Sequence, residues 1–304
     1  MIRLSDLKIS YHIGSRVIDA VDGVTLTIPD GCIVGIAGES GCGKSTLMKA
    51  IYGDIQAPMY LSRGNIEYGL KGADGRPVTT ASVRQEWFKS ISYIPQSSMN
   101  SLNPVIRIRD QFIDFPGTDS NKRRVLERAR DYIGKLGLAP ETLDSYPHQL
   151  SGGMRQRVMI GLATFFQPEL IIADEPTTAL DVVVQKEILM LLMDLQEQMG
   201  NTILVVSHDM GVHYQTTHKM LIMYAGRVVE YGDTESVFAD PQHPYTRMLI
   251  DSLPAIGDDS MRGVMASAAA TGGDRAFRVE PVLVEVKPNH FVARPAVQNA
   301  GAAA

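Results

Sequence analysis

A short glycine-rich segment is the feature that most constrains the fold of this chain. Residues 38–46 have the sequence GESGCGKST and match the pattern GxxxxGK(S/T). The apolar run from Cys32 to Ala37 precedes the segment, and a stretch of helical character from Lys44 to Ile51 follows it. A buried strand, a glycine-rich turn and a helix N-terminus in this order predict a phosphate-binding loop. The glycines allow successive N–H groups to point at phosphate oxygens, and the helix dipole adds partial positive charge.

The positions of this loop have distinct expected roles. Lys44 is expected to contact the β- and γ-phosphates of a nucleotide, and Ser45 is expected to bind Mg²⁺. Cys42 lies at a helix N-terminus, where the dipole lowers thiol pKa values, so we expect a reactive thiol. A chance match in a glycine-rich turn is the alternative, but the flanking strand and helix argue against it. The residues expected to bind the nucleotide here are Gly38, Glu39, Ser40, Gly41, Cys42, Gly43, Lys44, Ser45 and Thr46.

Further apolar runs predict an α/β fold. Residues 170–173 and 202–207 have the length and apolar character of strands that are buried on both faces. The segment Val182–Met199 between them has helical character. Strands that alternate with helices predict a mostly parallel core sheet. The alternating patterns at 7–11 and 24–28 predict further strands near the N-terminus.

Two carboxylates follow the second of these buried runs. Asp174 and Glu175 come directly after residues 170–173, at the strand end where open α/β sheets bind ligands. In ATPases with a phosphate loop, the first acid helps to hold Mg²⁺. The second is placed to polarise an attacking water as a general base. Taken alone, the pair is equally well explained as a turn that caps a helix, but the phosphate loop upstream favours catalysis.

Composition and charge disfavour several other functions. The net charge is −5 and the isoelectric point is about 5.8, so the chain lacks the basic surface typical of nucleic-acid binding. Its two cysteines, Cys32 and Cys42, do not form a CxxC pair, which disfavours a disulfide framework or a zinc site. No apolar run reaches the roughly 18 residues that span a bilayer, and the N-terminus lacks the apolar core of a signal peptide. Any membrane-spanning helices must come from another chain.

A phosphate loop alone does not separate kinases, GTPases and motor ATPases, and the segment LSGGMRQR at 150–157 decides between them. It resembles the signature motif of ATP-binding cassette (ABC) ATPases, with Met154 where glutamine is commoner. Arg155 precedes Asp174 by 19 residues, a spacing similar to that of the family. Other family motifs occur in the expected order, and the resemblance covers about residues 1–255.

The resemblance implies roles for four more residues. Gln96, in YIPQ, resembles the Q-loop glutamine, which senses the γ-phosphate through Mg²⁺ or the attacking water. His208, in VSHD, resembles the switch histidine, which contacts the γ-phosphate or that water. Tyr11 lies where the family stacks an aromatic ring on adenine, and Asp181, in ALD, resembles the D-loop aspartate. Taken singly, these residues would be interpreted as ordinary strand, loop and helix-cap residues.

The resemblance also implies a dimer. ABC cassettes pair head to tail, and each ATP lies between the phosphate loop of one subunit and the signature motif of the other. The residues implied to contact the partner's nucleotide are Ser151, Gly152, Gly153 and Met154. Ser151 alone would be interpreted as a helix N-cap, and a capped helix N-terminus that faces a phosphate satisfies both interpretations.

Two segments narrow the resemblance within the family. The segments SLNP at 101–104 and HPYTR at 243–247 look like those of the oligopeptide, dipeptide and nickel importer ATPases, a group that includes oligosaccharide importers. Residues 282–293 resemble the terminal strands of the same group. Several relatives bind an iron–sulfur cluster through four C-terminal cysteines. No cysteine follows Cys42 here, so we expect no cluster.

The expected domain organisation combines the patterns and the resemblance. Residues 1–257 are predicted to form the ABC ATPase domain, with an antiparallel N-terminal β subdomain. A helical subdomain at about 97–165 carries the signature motif, and residues 80–150 are expected to be mostly helical. Residues 258–304 are predicted to be a short C-terminal extension with a flexible linker at 263–273 and short strands.

The resemblance implies the nucleotide-binding subunit of an importer, peripheral on the cytoplasmic face of the membrane. Its partners would be a second ATPase subunit, often a different chain, two membrane permease subunits and an extracytoplasmic binding protein, with no nucleic acid. ATP and Mg²⁺ would be required. Peptide is the expected substrate and oligosaccharide the alternative. A soluble ABC ATPase of translation or DNA repair and an exporter cassette are the competing functions.

Overall fold

The structure is a computed structural model that describes residues 1–72, 74–96, 101–115, 121–178, 180–253 and 281–295. The strands in these ranges are β1 (Ile2–Ile13), β2 (Arg16–Ile28), β3 (Ile33–Ala37), β4 (Met59–Tyr68), β5 (Ile91–Ile94), β6 (Leu170–Asp174), β7 (Thr202–Val206), β8 (Lys219–Tyr224), β9 (Arg227–Asp233), β10 (Pro281–Lys287) and β11 (His290–Pro295). The α-helices are α1 (Lys44–Tyr52), α2 (Ile108–Ile113), α3 (Lys122–Lys135), α4 (Gly152–Thr164), α5 (Val182–Met199), α6 (Met210–Thr216), α7 (Thr234–Ala239) and α8 (Pro244–Asp251). Short 3₁₀ helices occupy Val83–Glu86, Pro140–Asp144 and Pro147–Gln149.

The strands form two sheets. A three-stranded antiparallel sheet has the order β2-β1-β4, and a larger sheet has the order β10-β11-β9-β8-β3-β7-β6-β5. The strands from β8 to β5 are parallel, whereas β9, β11 and β10 continue the sheet in antiparallel pairs. The predicted α/β fold, with an antiparallel N-terminal sheet and a mostly parallel core sheet, is confirmed.

The centre of the large sheet is buried on both faces. Every residue of β3, β6 and β7 is buried. In β6, Leu170 and Ile172 pack in a cluster with α1, whereas Ile171 and Ala173 face a second cluster with residues of α3, α4 and α5. Helices on both faces explain why these strands are continuous apolar runs in the sequence.

Helix α1 links the two sheets. Leu47, Met48 and Ile51 are fully buried, and they share one apolar cluster with Leu4 of β1 and Val34 of β3. Because β3 and α1 are both anchored in the core, the loop that joins them has fixed ends. This loop is the predicted phosphate-binding segment.

The expectation that residues 80–150 are mostly helical is wrong in part. Ile91–Ile94 form strand β5, which pairs in parallel with β6 at the end of the sheet. Four residues are too few to show a strand period, and their stabilising partner lies far along the chain, so tertiary pairing decides the structure. By contrast α5 spans Val182–Met199 as predicted and ends at Gly200, which has a φ of 64°.

The C-terminal strands extend the large sheet. Strands β10 and β11 form an antiparallel hairpin, and β11 pairs with β9 through Phe291 opposite Tyr231 and Val292 opposite Glu230. The predicted boundary at 257/258 and the linker at 263–273 lie outside the described residues. Among the helices that the structure describes, we find none with the length and apolarity needed to cross a bilayer.

Candidate active site

At two positions, the phosphate loop has a backbone conformation that only glycine adopts without strain. Gly38 has a φ of 148° and Gly43 a φ of 105°. A Cβ atom at Gly38 would lie 2.2 Å from the Met223 carbonyl oxygen, and one at Gly43 would lie 2.2 Å from the Ala20 carbonyl oxygen. Both contacts are shorter than non-bonded atoms allow. The glycines of the motif are therefore needed for the packing of the loop as well as for its turn.

Lys44 lies within this loop and is only 5% exposed. Its ammonium group donates to the Gly38 carbonyl oxygen at 2.6 Å and to the Glu39 carbonyl oxygen at 2.9 Å. The next residue, Ser45, donates from Oγ to Asp174 Oδ1 at 3.3 Å. The Ser45 hydroxyl at the start of α1 thus faces the end of β6, while the Lys44 ammonium lies against the carbonyls of the loop.

Asp174, the last residue of β6, is held from two sides. Besides the Ser45 contact, its Oδ2 accepts a hydrogen bond from the Tyr93 hydroxyl at 2.8 Å. Burial, together with the nearby Asp174 charge, raises the pKa of Tyr93, so the phenol remains a donor. The Ser45 hydroxyl and the Asp174 carboxylate form an oxygen-only donor set, which is the type that Mg²⁺ prefers.

Glu175 brings together side chains from three loops of the sheet edge. Its carboxylate contacts Gln96 Nε2 and His208 Nε2, and it accepts from Thr178 Oγ1 at 3.1 Å. Gln96 follows β5, Glu175 follows β6 and His208 follows β7. Because parallel strands end at the same edge, three residues that are distant in sequence meet at one carboxylate.

The backbone at Glu175 is unusual. Its φ is 50°, in the left-handed region that non-glycine residues seldom adopt. Its N–H donates to the Val206 carbonyl oxygen of β7 at 3.0 Å, which holds the residue in this conformation. Glu175 is 11% exposed at the side chain and His208 is 50% exposed. The carboxylate is therefore shielded from most of the solvent, while the imidazole remains accessible.

Tyr11 lies beside the first turn of α1. Its hydroxyl is 3.1 Å from Thr46 Oγ1, and its ring is half-buried against the core. This position next to the phosphate loop is consistent with the expected stacking on a nucleotide base.

The signature and D-loop residues begin two neighbouring helices. Ser151 Oγ accepts from the Met154 N–H at 3.3 Å and caps α4, with Gly152 and Gly153 in its first turn. Asp181 Oδ1 accepts from the Val184 N–H at 3.0 Å and caps α5. Both capping side chains are exposed. The D-loop residue Ala179 lies outside the described residues.

Comparison with known proteins identifies the family. The model of the family described as "ABC transporter" matches residues 21–178. This chain belongs to the ABC transporter family. A second model, described as "Oligopeptide/dipeptide transporter, C-terminal region", matches residues 229–272, which include the HPYTR segment. As a member of the ABC family the chain is an ATPase, which confirms the prediction from the motifs.

Several relatives named as peptide transport proteins are similar over most of the chain. The oligopeptide transport ATP-binding protein AmiE of Streptococcus pneumoniae is 38% identical over 84% of this chain and 72% of its own length. The dipeptide transport ATP-binding protein DppD of Escherichia coli is 39% identical over 84% of this chain and 79% of its own length. The oligopeptide transport ATP-binding protein OppD of Bacillus subtilis is 34% identical over 96% of this chain and 87% of its own length.

Solved ABC structures have the same fold. The dimeric ATP-binding cassette MJ0796 with ADP and Pi bound superposes with a TM-score of 0.65 and 27% identity, over 77% of this chain and 99% of that chain. The protein cbiO1 from Clostridium perfringens has a TM-score of 0.65 and 25% identity, over 79% of this chain and 90% of that chain. The family fold thus accounts for most of the described residues.

The expected low pKa of Cys42 is wrong for this ABC chain. The residue is 3% exposed. Burial raises the pKa of its thiol, and the nearby Lys44 charge only partly opposes this effect. Desolvation of a thiolate outweighs the helix dipole at this position because the sulfur points into the core. Sequence position alone suggested the dipole and could not show the burial.

Three residues of the site are not predicted by the sequence motifs. Tyr93 and Thr178 contact the two carboxylates, and Tyr245 of the HPYTR segment accepts from the Glu39 N–H of the phosphate loop at 2.8 Å. The positions of Tyr93 in YIPQ and of Thr178 beside the acidic pair were the available signals for two of them. Nothing local to residues 243–247 indicates a contact with a loop that lies about 200 residues earlier.

Proposed function

We propose that this chain is the nucleotide-binding subunit of an ABC importer and couples ATP hydrolysis to the uptake of peptides. The observation that carries the hydrolytic part is Glu175, which is held directly after Asp174 at the end of β6, in contact with Gln96 and His208. The transport part is supported by the C-terminal family match and by relatives that are named as oligopeptide and dipeptide transport proteins.

In the proposed reaction, the phosphate loop and Lys44 bind the β- and γ-phosphates of ATP. Ser45, Asp174 and Gln96 are the residues that would hold Mg²⁺, which neutralises phosphate charge when bound. Glu175 accepts a proton from a water whose oxygen attacks the γ-phosphorus. The bond from that phosphorus to the β–γ bridging oxygen breaks, which leaves ADP and inorganic phosphate. His208, in contact with Glu175, orients the water or the γ-phosphate.

The second half of each ATP site is proposed to come from another ATPase subunit. Ser151 caps α4 from an exposed position, and Gly152, Gly153 and Met154 form its half-buried first turn. The Met154 N–H donates to Ser151 Oγ, so the N–H groups of Gly152 and Gly153 are the ones suitably placed to receive a phosphate of the partner's nucleotide. Asp181 starts the adjacent helix α5 and would lie at the same interface. The dimeric form of MJ0796 supports this arrangement. The partner is either a second copy or a related chain.

The transport partners are proposed to be two permease subunits and an extracytoplasmic binding protein, with this chain at the cytoplasmic face. The segment from Gln96 to Pro104 is the proposed permease-docking surface, because it continues from the glutamine that touches Glu175. Residues 97–100 of this segment lie outside the described residues. A soluble ABC ATPase without a transport role is not favoured, because the relatives reported above are named as transport proteins.

Reconstitution of the complete transporter tests this function. The chain, its dimer partner, the permease subunits and the binding protein are assembled in liposomes with ATP enclosed, and uptake of labelled di- to hexapeptides is measured. We expect peptide uptake that requires ATP and is lost with Glu175→Gln. Uptake of maltooligosaccharides but not peptides would show that the alternative substrate is correct. ATPase activity with no membrane partners and no uptake of either would contradict an importer.

A further inference from the structure

A single peptide group in the phosphate loop is held from both sides. Its carbonyl, that of Gly38, accepts from the Lys44 ammonium at 2.6 Å. Its N–H, that of Glu39, donates to the Tyr245 hydroxyl at 2.8 Å. Because the N–H and C=O of a trans peptide point in opposite directions, the acceptor on one side fixes the direction of the carbonyl on the other. Tyr245 therefore sets the orientation of an oxygen that contacts Lys44.

Tyr245 is itself fixed by packing. It is the second residue of α8, and its side chain is buried. Its ring lies 4.6 Å from the ring of Tyr224, centroid to centroid, at the end of β8. Burial raises the pKa of Tyr245, so the side chain stays a neutral hydroxyl, and its oxygen accepts from the Glu39 N–H.

The start of α8 is fixed in turn by a fully buried carboxylate on β9. Glu230 has 0% exposure, and its two oxygens accept from the backbone N–H groups of Gln242 and His243, each at 2.8 Å. His243 caps α8 by accepting from the Tyr245 N–H at 3.2 Å. The imidazole of His290, the first residue of β11, lies 2.6 Å from Glu230 and is also fully buried. Polar contacts thus connect the C-terminal hairpin to the phosphate loop through Glu230 and Tyr245.

We propose that Tyr245 is a positioning residue for ATP binding, and that Glu230 acts on the phosphate loop by holding Tyr245 in place. The proposal rests on the binding of ATP at the phosphate loop, as described under the proposed function. With the Tyr245 hydroxyl present, the Gly38–Glu39 peptide is ordered before nucleotide binds. Without it, the peptide rotates more freely, and ATP binding must supply the cost of ordering the loop.

The decisive variant is Tyr245→Phe, which keeps the ring against Tyr224 and removes only the acceptor. Tyr231→Phe on β9 is a matched control, because this tyrosine is also buried but its hydroxyl has no hydrogen-bond partner among the described residues. Dissociation constants for MgATP and MgADP are measured by titration calorimetry on the full-length chain. We expect a weakening of about 3- to 10-fold for Tyr245→Phe, the scale of one hydrogen bond, and less than about 2-fold for the control.

Two further readouts separate positioning from general stability. The steady-state KM for ATP is expected to rise with the dissociation constant, while kcat changes less than about 2-fold, because Glu175 and His208 are untouched. The melting temperature without nucleotide reports any loss of packing. If Tyr245→Phe lowers the melting temperature but binds ATP as tightly as Tyr231→Phe does, the residue is only structural and the proposal is overturned.

The role of Glu230 is tested by a double-mutant cycle with Glu230→Gln. An amide can accept at only one of its two polar atoms, so one of the two N–H contacts is lost. We expect weaker ATP binding in Glu230→Gln and no further weakening when it is combined with Tyr245→Phe. Additive losses would overturn the route through Tyr245. Failure of the wild-type chain to bind ATP, or equal binding by Lys44→Ala, would instead contradict the proposed function itself.

Discussion

At the scale of single residues, the site contains charged side chains that are stabilised by hydrogen bonds to specific neighbours. Lys44 is buried, and its ammonium is stabilised by two loop carbonyls rather than by a carboxylate. Asp174 is buried as well, with hydroxyl donors on both oxygens. Neither charge is neutralised by a direct ion pair with the other. This arrangement supports the proposal that Lys44 and Asp174 exchange these partners for phosphate oxygens and a divalent cation when nucleotide binds.

Lys44→Ala is expected to abolish measurable ATP binding, because the positive charge that faces the β- and γ-phosphates is removed. Equilibrium binding of MgATP to the purified chain checks this. Lys49→Ala is the matched control, since Lys49 lies on the same helix but is exposed. Wild-type affinity in Lys44→Ala would show that residues 38–46 are not the nucleotide site.

Glu175→Gln is expected to keep ATP affinity and to slow hydrolysis by about 100-fold or more, the usual scale for loss of a general base. The amide retains the shape of the side chain but cannot accept the proton of the attacking water. The assay is phosphate release under saturating ATP, with Glu197→Gln on the exposed face of α5 as the control. ATP should also trap a closed dimer, visible by size-exclusion chromatography. Undiminished turnover would place the base elsewhere.

A feature of the site could be predicted from the sequence when the residues that produce it are close together along the chain. The glycines and Lys44 belong to one short segment, so the pattern alone predicts a phosphate loop. The meeting of Glu175 with Gln96 and His208 follows from family order and from parallel strand ends. The raised pKa of Cys42 and the Tyr245 contact depend on residues packed from distant parts of the chain, and no local pattern contains them.

At the scale of elements, the most apolar strands were predictable, whereas the four-residue strand β5 was not. β3, β6 and β7 are buried on both faces, so each is visible in the sequence as a continuous apolar run. β5 has only four residues and is stabilised by pairing with β6, which explains why the helical expectation for its region fails. Tyr93 lies in β5 and Gln96 follows it. The strand and the role of Tyr93 both depend on pairing with β6, which is distant in sequence, so neither was predicted.

The contact between the β10–β11 hairpin and β9 is expected to contribute to the free energy of unfolding. His290→Ala removes the buried imidazole that contacts Glu230 and leaves a buried carboxylate oxygen with fewer donors. We expect a loss of about 1–3 kcal/mol in the free energy of unfolding, the usual cost of an unsatisfied buried polar group. Urea denaturation followed by circular dichroism measures it.

His148→Ala is the control for this experiment, because His148 is exposed, and exposed substitutions usually change stability by less than about 0.5 kcal/mol. Equal unfolding free energies for the two variants would show that the Glu230–His290 contact contributes nothing to the fold.

At the scale of the whole molecule, one residue belongs both to the proposed catalytic site at the sheet edge and to the proposed permease-docking surface. Gln96 contacts Glu175 at the end of the sheet and starts the segment that continues to Pro104. A change at the γ-phosphate can reach a permease only if the two nucleotide states differ in their contacts with it. Gln96 is positioned for such a difference, so its mutation is expected to uncouple transport more than it weakens ATP binding.

Crosslinking tests the docking surface directly. Cysteine is placed at Ser98 or Ser101 in a background without Cys32 and Cys42, and single cysteines are placed in the cytoplasmic loops of the permease. The assembled transporter is then treated with a bifunctional maleimide, which joins two thiols. Ser98 lies outside the described residues, whereas Ser101 is exposed. We expect crosslinks to the cytoplasmic loops of the permease. Glu67→Cys on β4 of the N-terminal sheet is the control, and crosslinks from it but not from either serine position would exclude docking at this segment.

The order of the elements along the chain adds a constraint on biosynthesis. The phosphate loop is made early, but His290, which completes the surroundings of Glu230, is among the last described residues to be translated. In a nascent chain that has not yet released β11 from the ribosome, β9 lacks one of its two neighbour strands, and Glu230 lacks its His290 contact. Under the proposal that Glu230 supports the nucleotide loop through Tyr245, this support is complete only after β11 has left the ribosome. A product that terminates before residue 290 would carry every predicted catalytic motif yet lack the Glu230–His290 contact.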